Sequence, residues 1–220
     1  MRVNGENMVH SFTKCKKSHF GKPLTVFDVM ADIADFLKSN PTETVLVFYK
    51  NDGKISGQDC LDLLKEKIIN KGKSIWYLDN KFPCLNEVRG KIILLNRIDG
   101  SAGIDFSKMP YQGGTKAPVV QFFSPNGEDM AAVQDWYSLP RKRKWLEAVE
   151  PLLKDERSCE DKPVLNHLSS AGFPFIPKFN AAYINRKFSS FPLKSRGHYG
   201  IVMADFLSKE MAEKIIQSNF

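Results

Sequence analysis

A chain of 220 residues, 42% hydrophobic and 26% charged, has ordinary globular composition and enough apolar mass for one sizeable core, and it is read as a single domain. Lys and Arg outnumber Asp and Glu by 32 to 25, so a phosphorylated headgroup, a membrane surface or a nucleic acid suits the charge, which alone does not choose among them. No stretch approaches the about 18 apolar residues that span a bilayer, Met1 to Glu6 lacks the apolar region of a secretory signal, and the chain is expected to be soluble.

The first strand signal is Met8-Val9, after the short polar turn Asn4-Gly5-Glu6-Asn7. From Leu24 to Leu37, Val26, Val29, Met30, Ile33, Ala34 and Leu37 recur at helical spacing, with Thr25 as the N-cap. Asn40-Pro41-Thr42 ends that helix, and Glu43 to Tyr49 reads as a buried strand. A second helix is predicted from about Gln58 to Asn70, and Lys91 to Leu95 is a continuous apolar strand of the kind parallel sheets use. Val119 to Phe123 and Ala131 to Asp135 are the next strands, followed by a helix from about Arg141 to Leu153. Val164 to Leu168 and Tyr199 to Phe206 are further strands, and Ser208 to Gln217 is a final helix. Strands separated by helices predict an α/β fold with a parallel sheet or barrel. The Gly- and Pro-rich segments Asp99 to Ala117 and Ser169 to Asn180 are expected to be long functional loops. There is no internal repeat or low-complexity tract.

The basic run Arg141-Lys142-Arg143-Lys144 beside Trp145 is read as a solvated helix face, against the alternative of a nucleic-acid or anionic-lipid patch. Cys15, Cys60, Cys84 and Cys159 never form C-x-x-C and read as buried or incidental thiols.

In a parallel barrel the C-terminal strand ends form the active-site floor. Lys50, Arg97, Asp135 with Tyr137, and Asp205 each follow an apolar run. A charged residue at one strand end usually marks only a return to water, but four in register are harder to dismiss. Two cations, a carboxylate and a phenol suit a polyhydroxylated, phosphorylated ligand, because cations hold phosphate oxygens and a carboxylate accepts from hydroxyls. Arg2 and His10 add a cation and an imidazole near the chain start. His19 and His198 are read as surface residues, and His167 as part of a barrel wall.

These motifs, in this order, resemble the X-type domain of bacterial, metal-independent phosphatidylinositol-specific phospholipases C. Arg2-Val3 with Met8-Val9-His10 resembles the family's D-I-R…H-G segment, and Asn40-Pro41-Thr42-Glu43-Thr44 its N-P-x-E-T strand entry. Arg89-Gly90-Lys91 through Arg97 resembles its R-G-K-I-V-L-L-x-R strand, and Val133-Gln134-Asp135-Trp136-Tyr137 its V-Q-D-x-Y element. Val164 to Ser170 and Gly200 to Phe206 resemble its last two strands, the second with a catalytic aspartate. The departures are Ser11, where the family has glycine, and the family's first histidine motif, G-T-H-D-S, which precedes the segment matched here.

The resemblance implies a TIM-type (β/α) barrel, incomplete at its N-terminus and spanning residues 1–220. It implies cleavage of phosphatidylinositol, or its glycosylated form, to diacylglycerol and a cyclic inositol phosphate, with the inositol 2-hydroxyl as nucleophile. His10 is then the general acid, Arg2 stabilises phosphoryl charge, and Asp205 orients the base imidazole. Lys50, Arg97, Asp135 and Tyr137 hold the inositol ring. No metal or cofactor is expected, because Arg2 and Lys50 stand where calcium-dependent relatives need carboxylates. A metal-dependent phosphodiesterase barrel is disfavoured because no acidic ligand cluster is visible. Loss of a general base costs about 10²–10⁴-fold, so without the first histidine an impaired enzyme is expected. The alternative is an inactive module that binds inositol phosphate or membrane, or the product of a truncated gene. The implied partner is a phosphatidylinositol-containing membrane surface, bound peripherally by a monomer with no nucleic acid and no transmembrane segment, and the family resemblance favours secretion.

Overall fold

The computed structural model describes residues 1–10, 13–17, 21–109, 113, 120–123, 129–155 and 163–220. Ser11, His19, Val119 and Cys159 lie outside the described residues. The chain divides into two compact units, Met1–Met109 and Pro110–Phe220.

In the first unit, β1 (Arg2–Asn4) and β2 (Asn7–His10) form an antiparallel hairpin, and β3 (Thr13–Lys14) extends it. Gly5 turns the hairpin at φ 59°, a backbone conformation that costs glycine little. Helix α1 (Val26–Ser39) begins at Thr25, whose hydroxyl accepts from the Asp28 N–H while the Asp28 carboxylate accepts from the Thr25 N–H. This capping box satisfies donors that a helix start leaves open. The hydrogen bonds from Lys17 and Thr25 hold the Asp28 carboxyl down at about 2.

Strand β4 (Val45–Asn51) follows, then α2 (Gly57–Asp62), which runs into a π-helical stretch, Leu63–Ile69, and a 3-10 stretch to Ile75. The helix expected from Gln58 to Asn70 is therefore present with three different pitches. Strands β5 (Trp76–Tyr77), β6 (Ile92–Asn96) and β7 (Ile104–Asp105) complete the unit, and β7 lies inside the segment expected to be a long loop. The sheet order is β3-β2-β1-β4-β6-β5, with β7 also on β6, and every pairing from β1 to β7 other than the hairpin strands is parallel. All five residues of β6 are buried, which explains its unbroken apolar run: a parallel strand is covered on both faces. Val26, Met30 and Leu37 of α1 join Val47, Ile92 and Leu94 in one core with Val3, Leu64 and Trp76.

In the second unit β8 (Val120–Phe123) pairs antiparallel with β9 (Asp129–Gln134). Strands β10 (Val164–His167) and β11 (Ile201–Met203) add in parallel, giving the order β11-β10-β9-β8. After β9 come α3 (Arg141–Arg143), a π-helical stretch, Lys144–Val149, and α4 (Glu150–Lys154). Helix α5 (Pro177–Ser190) was not expected: it begins inside the segment read as a loop to Asn180. Pro177 suits a first helical position, and Asn180, Ala181, Ile184 and Phe188 are its buried face. Helix α6 (Lys209–Gln217) is capped by Ser208. Trp145, Val149, Leu153, Leu168, Ile184, Phe188 and Met211 form the core.

The basic run is only in part a solvated face. Arg143 is paired at the surface with Glu147, but Lys144 is fully buried. The physical reason is helical spacing: Trp145, Ala148, Val149, Leu152 and Leu153 face the core, and position 144 lies one turn before Ala148 on the same stripe.

Candidate active site

In the first unit three expected site residues come together where β4 and β6 end, with the start of β1 alongside. Arg2 of β1 is in register with Lys50 of β4, and Arg97 follows the Tyr49–Asn96 pair of β4 and β6, its N–H bonded to the Tyr49 carbonyl at 2.9 Å. Asp52, which the sequence reading passed over, ties two of these cations. Its Oδ2 lies 3.5 Å from Arg2 Nη1, and its Oδ1 bonds Lys50 Nζ. The Asp52 N–H in turn bonds the Val3 carbonyl at 2.9 Å, so the carboxylate is fixed by the sheet itself. Its side chain is largely buried whereas Arg2 and Lys50 remain partly open, an arrangement that holds both cations while leaving N–H donors for an incoming oxyanion. His10 closes β2 one strand further on, opposite Thr13, and is exposed. Its ring makes no hydrogen bond or ion pair among the described residues.

In the second unit the remaining expected residues sit at the ends of β9 and β11. Asp135 follows β9 directly, and its Oδ1 is 3.7 Å from Nδ1 of His167, the last residue of β10. His167 thus lies at the end of β10 beside the candidate carboxylate. Tyr137 lies two residues on, its carbonyl accepting from the Ala171 N–H at 2.7 Å. Asp205 follows β11 in a turn whose carbonyls at Asp205 and Phe206 accept from Asn185 of α5 at 2.9 and 3.2 Å.

Beneath this surface runs a buried polar network that the sequence reading did not find. Gln134 is central: its Nε2 donates to Asn166 Oδ1 and to the His167 carbonyl, both at 2.8 Å. Its Oε1 accepts from the Trp136 N–H at 2.9 Å and from Lys144 Nζ. Lys144 also donates to the Trp136 carbonyl at 3.2 Å. Burial pulls the Lys144 amine down to about 7, with the Asp135 and Asp205 carboxylates opposing. The carboxylates of two different strand ends thus act on one buried amine.

Among the described residues no group of three or more His, Cys, Asp and Glu side chains is placed to hold a metal. No described helix is long and apolar enough to cross a membrane.

No family model matches the chain. It is 32% identical over 203 residues to the 1-phosphatidylinositol phosphodiesterase of Listeria monocytogenes, an alignment covering 87% of this chain and 59% of that protein. The chain resembles the bacterial phosphatidylinositol-specific phospholipases C in sequence and in fold. The solved phosphatidylinositol-specific phospholipase C of Listeria monocytogenes superposes with a TM-score of 0.73 at 27% identity, covering 100% of this chain and 77% of that one. A phosphatidylinositol-specific phospholipase C from Staphylococcus aureus superposes with a TM-score of 0.75 at 21% identity, over 100% of this chain and 78% of that one; at that identity it speaks for the fold alone. The fold class is accordingly α/β, of the TIM-type (β/α) barrel kind expected. The chain spans about three-fifths of the length of its curated relative.

Proposed function

We propose that this chain carries the phosphodiester chemistry of a phosphatidylinositol-specific phospholipase C: phosphatidylinositol, free or glycosylated, is cleaved to diacylglycerol and a cyclic inositol phosphate. The observation that carries the reading is the Arg2–Asp52–Lys50 cluster where β4 ends beside the start of β1, in a chain 32% identical to a 1-phosphatidylinositol phosphodiesterase.

In this reading the inositol 2-hydroxyl attacks phosphorus as the bond to the diacylglycerol oxygen breaks. Arg2 stabilises charge on the phosphoryl oxygens, and exposed His10 protonates the leaving oxygen, a transfer that imidazole performs near neutral pH. The proton of the 2-hydroxyl needs a base; the family resemblance assigns that role to the histidine of a G-T-H-D-S motif that residues 1–220 do not contain, oriented by Asp205, so turnover by these residues alone is lowered by about 10²–10⁴-fold. Lys50, Arg97, Asp135 and Tyr137 hold the inositol hydroxyls. Neither metal nor cofactor takes part, and residues 1–220 act as one catalytic domain.

The partner in this reading is a phosphatidylinositol-containing membrane surface outside the cell, met by a monomer. Support comes from exposed apolar side chains of the second unit: Phe173, Phe175, Ile176 and Phe179, the first two at 69% and 73%, and Phe206 and Leu207 next to Asp205. Asn185 ties the Asp205 turn to α5, the helix that Phe173 to Ile176 lead into. Exposed aromatic side chains beside a polar site suit a lipid interface.

The test is release of cyclic inositol phosphate from phosphatidylinositol vesicles by the purified chain, with and without chelator, alongside binding of myo-inositol 1-phosphate. Slow, chelator-insensitive release, lost in Arg2→Ala and Lys50→Ala, is the expected result. Binding without release is what the inactive module predicts, and neither binding nor release would end both readings.

A further inference from the structure

Lys144 has no assigned role, and its setting is unusual. Lysine is almost never fully buried unless paired, yet Lys144 is 0% exposed and has no carboxylate bonded to its amine; the acceptors are Gln134 Oε1 and the Trp136 carbonyl, one on each side of Asp135. A neutral amine has two N–H bonds, and two acceptors are present. Gln134 itself is fixed from three directions, by Asn166, by the His167 carbonyl and by the Trp136 N–H, and Asn166 is anchored through its Nδ2 to the Val149 carbonyl at 3.2 Å. Lys144 therefore closes a frame that joins the ends of β9 and β10 to the helix behind them, and Asp135 is the residue suspended across it.

We propose that Lys144 is a positioning residue: by gripping the Gln134 carboxamide and the Trp136 carbonyl, it sets the backbone on both sides of Asp135 so that this carboxylate and Tyr137 meet inositol hydroxyls. This rests on the functional reading above for the identity of the ligand, but not for the mechanical part. Without the Lys144 amine, Gln134 Oε1 keeps one donor, the Trp136 carbonyl loses its own, and the Asp135 segment gains freedom. Charge contributes as well, since the Asp135 and Asp205 carboxylates favour the protonated amine.

The experiment compares wild type with Lys144→Met, of similar length and no donor, by two readouts at pH 7. The first needs no ligand: hydrogen exchange of the Trp136 amide, measured against the Val133 amide within β9, should speed up by about tenfold in the variant, because its acceptor Gln134 Oε1 and its own carbonyl are no longer held by the amine. The second is the dissociation constant for myo-inositol 1-phosphate, which should rise by about tenfold, with Asp135→Asn adding less than threefold on the Lys144→Met background. A purely structural lysine would instead lower the melting temperature while leaving both ratios unchanged, and that outcome overturns the inference. If Lys144→Met does not fold, Lys144→Leu carries the same readouts, because it fills the apolar stripe and has no donor. Wild-type protein that neither binds inositol 1-phosphate nor releases cyclic product defeats the functional reading and the ligand half of this one; the exchange arm still decides whether Lys144 holds the strand end.

Discussion

Lys144 also makes a quantitative prediction about stability. In the unfolded chain its amine titrates near 10.5, and burial lowers it to about 7 in the folded protein. Between those values the unfolded chain holds a proton that the folded protein has released, so unfolding becomes harder as pH rises, by up to about 1.4 kcal/mol per pH unit. Below about pH 7 both states are protonated, and folding bears the whole cost of a buried ammonium, roughly 5 kcal/mol. Lys144→Met removes that cost together with two hydrogen bonds of about 1 kcal/mol each. The variant should therefore be more stable than wild type at pH 6, by about 2–3 kcal/mol once the bonds are subtracted, and lose that advantage on the way to pH 10. Urea denaturation of both proteins at intervals from pH 6 to 10 measures the difference directly. Profiles that stay parallel across that range would refute the buried, neutralised amine.

Asp52→Asn should leave stability within about 1 kcal/mol of wild type, since its partners are exposed enough for solvent to screen the pairs. It should weaken inositol 1-phosphate binding by about tenfold by freeing Arg2 and Lys50, and equal or tighter binding in a titration would count against a positioning role for Asp52. Phe173→Ser with Phe175→Ser should abolish co-sedimentation with phosphatidylinositol vesicles while leaving the dissociation constant for soluble inositol 1-phosphate unchanged; a loss of both would place these rings in the site and not at a lipid interface. Gly200→Ala should destabilise the second unit by at least about 2 kcal/mol in a denaturant titration, because residue 200 sits at φ +66° and an added Cβ would lie 2.2 Å from the Val164 carbonyl oxygen. An unchanged midpoint would show that the turn into β11 relaxes.

Much of the fold was legible because burial and period agree. The β6 run needs apolar residues at every position, as a doubly covered strand does, and α1 carries both its stripe and its Thr25 cap in plain sight. Helix α5 was not legible. Its buried face includes Asn180, whose Nδ2 reaches the Ser170 and Gly172 carbonyls; such a residue looks like loop until its partners are known, and the preceding Gly and Pro residues strengthened that impression. Short strands such as β5 and β7, two residues each, exist only through pairing with β6 and leave no periodic trace of their own.

The candidate site divides along the same line. Residues that end an apolar strand, Lys50, Arg97, Asp135 and Asp205, announce themselves by the abrupt change from apolar to charged. Residues that organise them do not, although two had a signal. Asp52 lies two positions after Lys50, hence on the same face of an extended chain, and a carboxylate there pairs with any cation at position 50. Lys144 stands one helical turn before Ala148, on a stripe that Trp145, Val149 and Leu152 continue; read residue by residue it belongs to the buried face, and only its place in a run of four basic residues suggested water. A charge run is thus best divided by helical phase before it is assigned to solvent, because the member that falls on the apolar face must find partners inside. Here those partners are Gln134 and Trp136, the two neighbours of the carboxylate on which sugar recognition depends in the proposed chemistry.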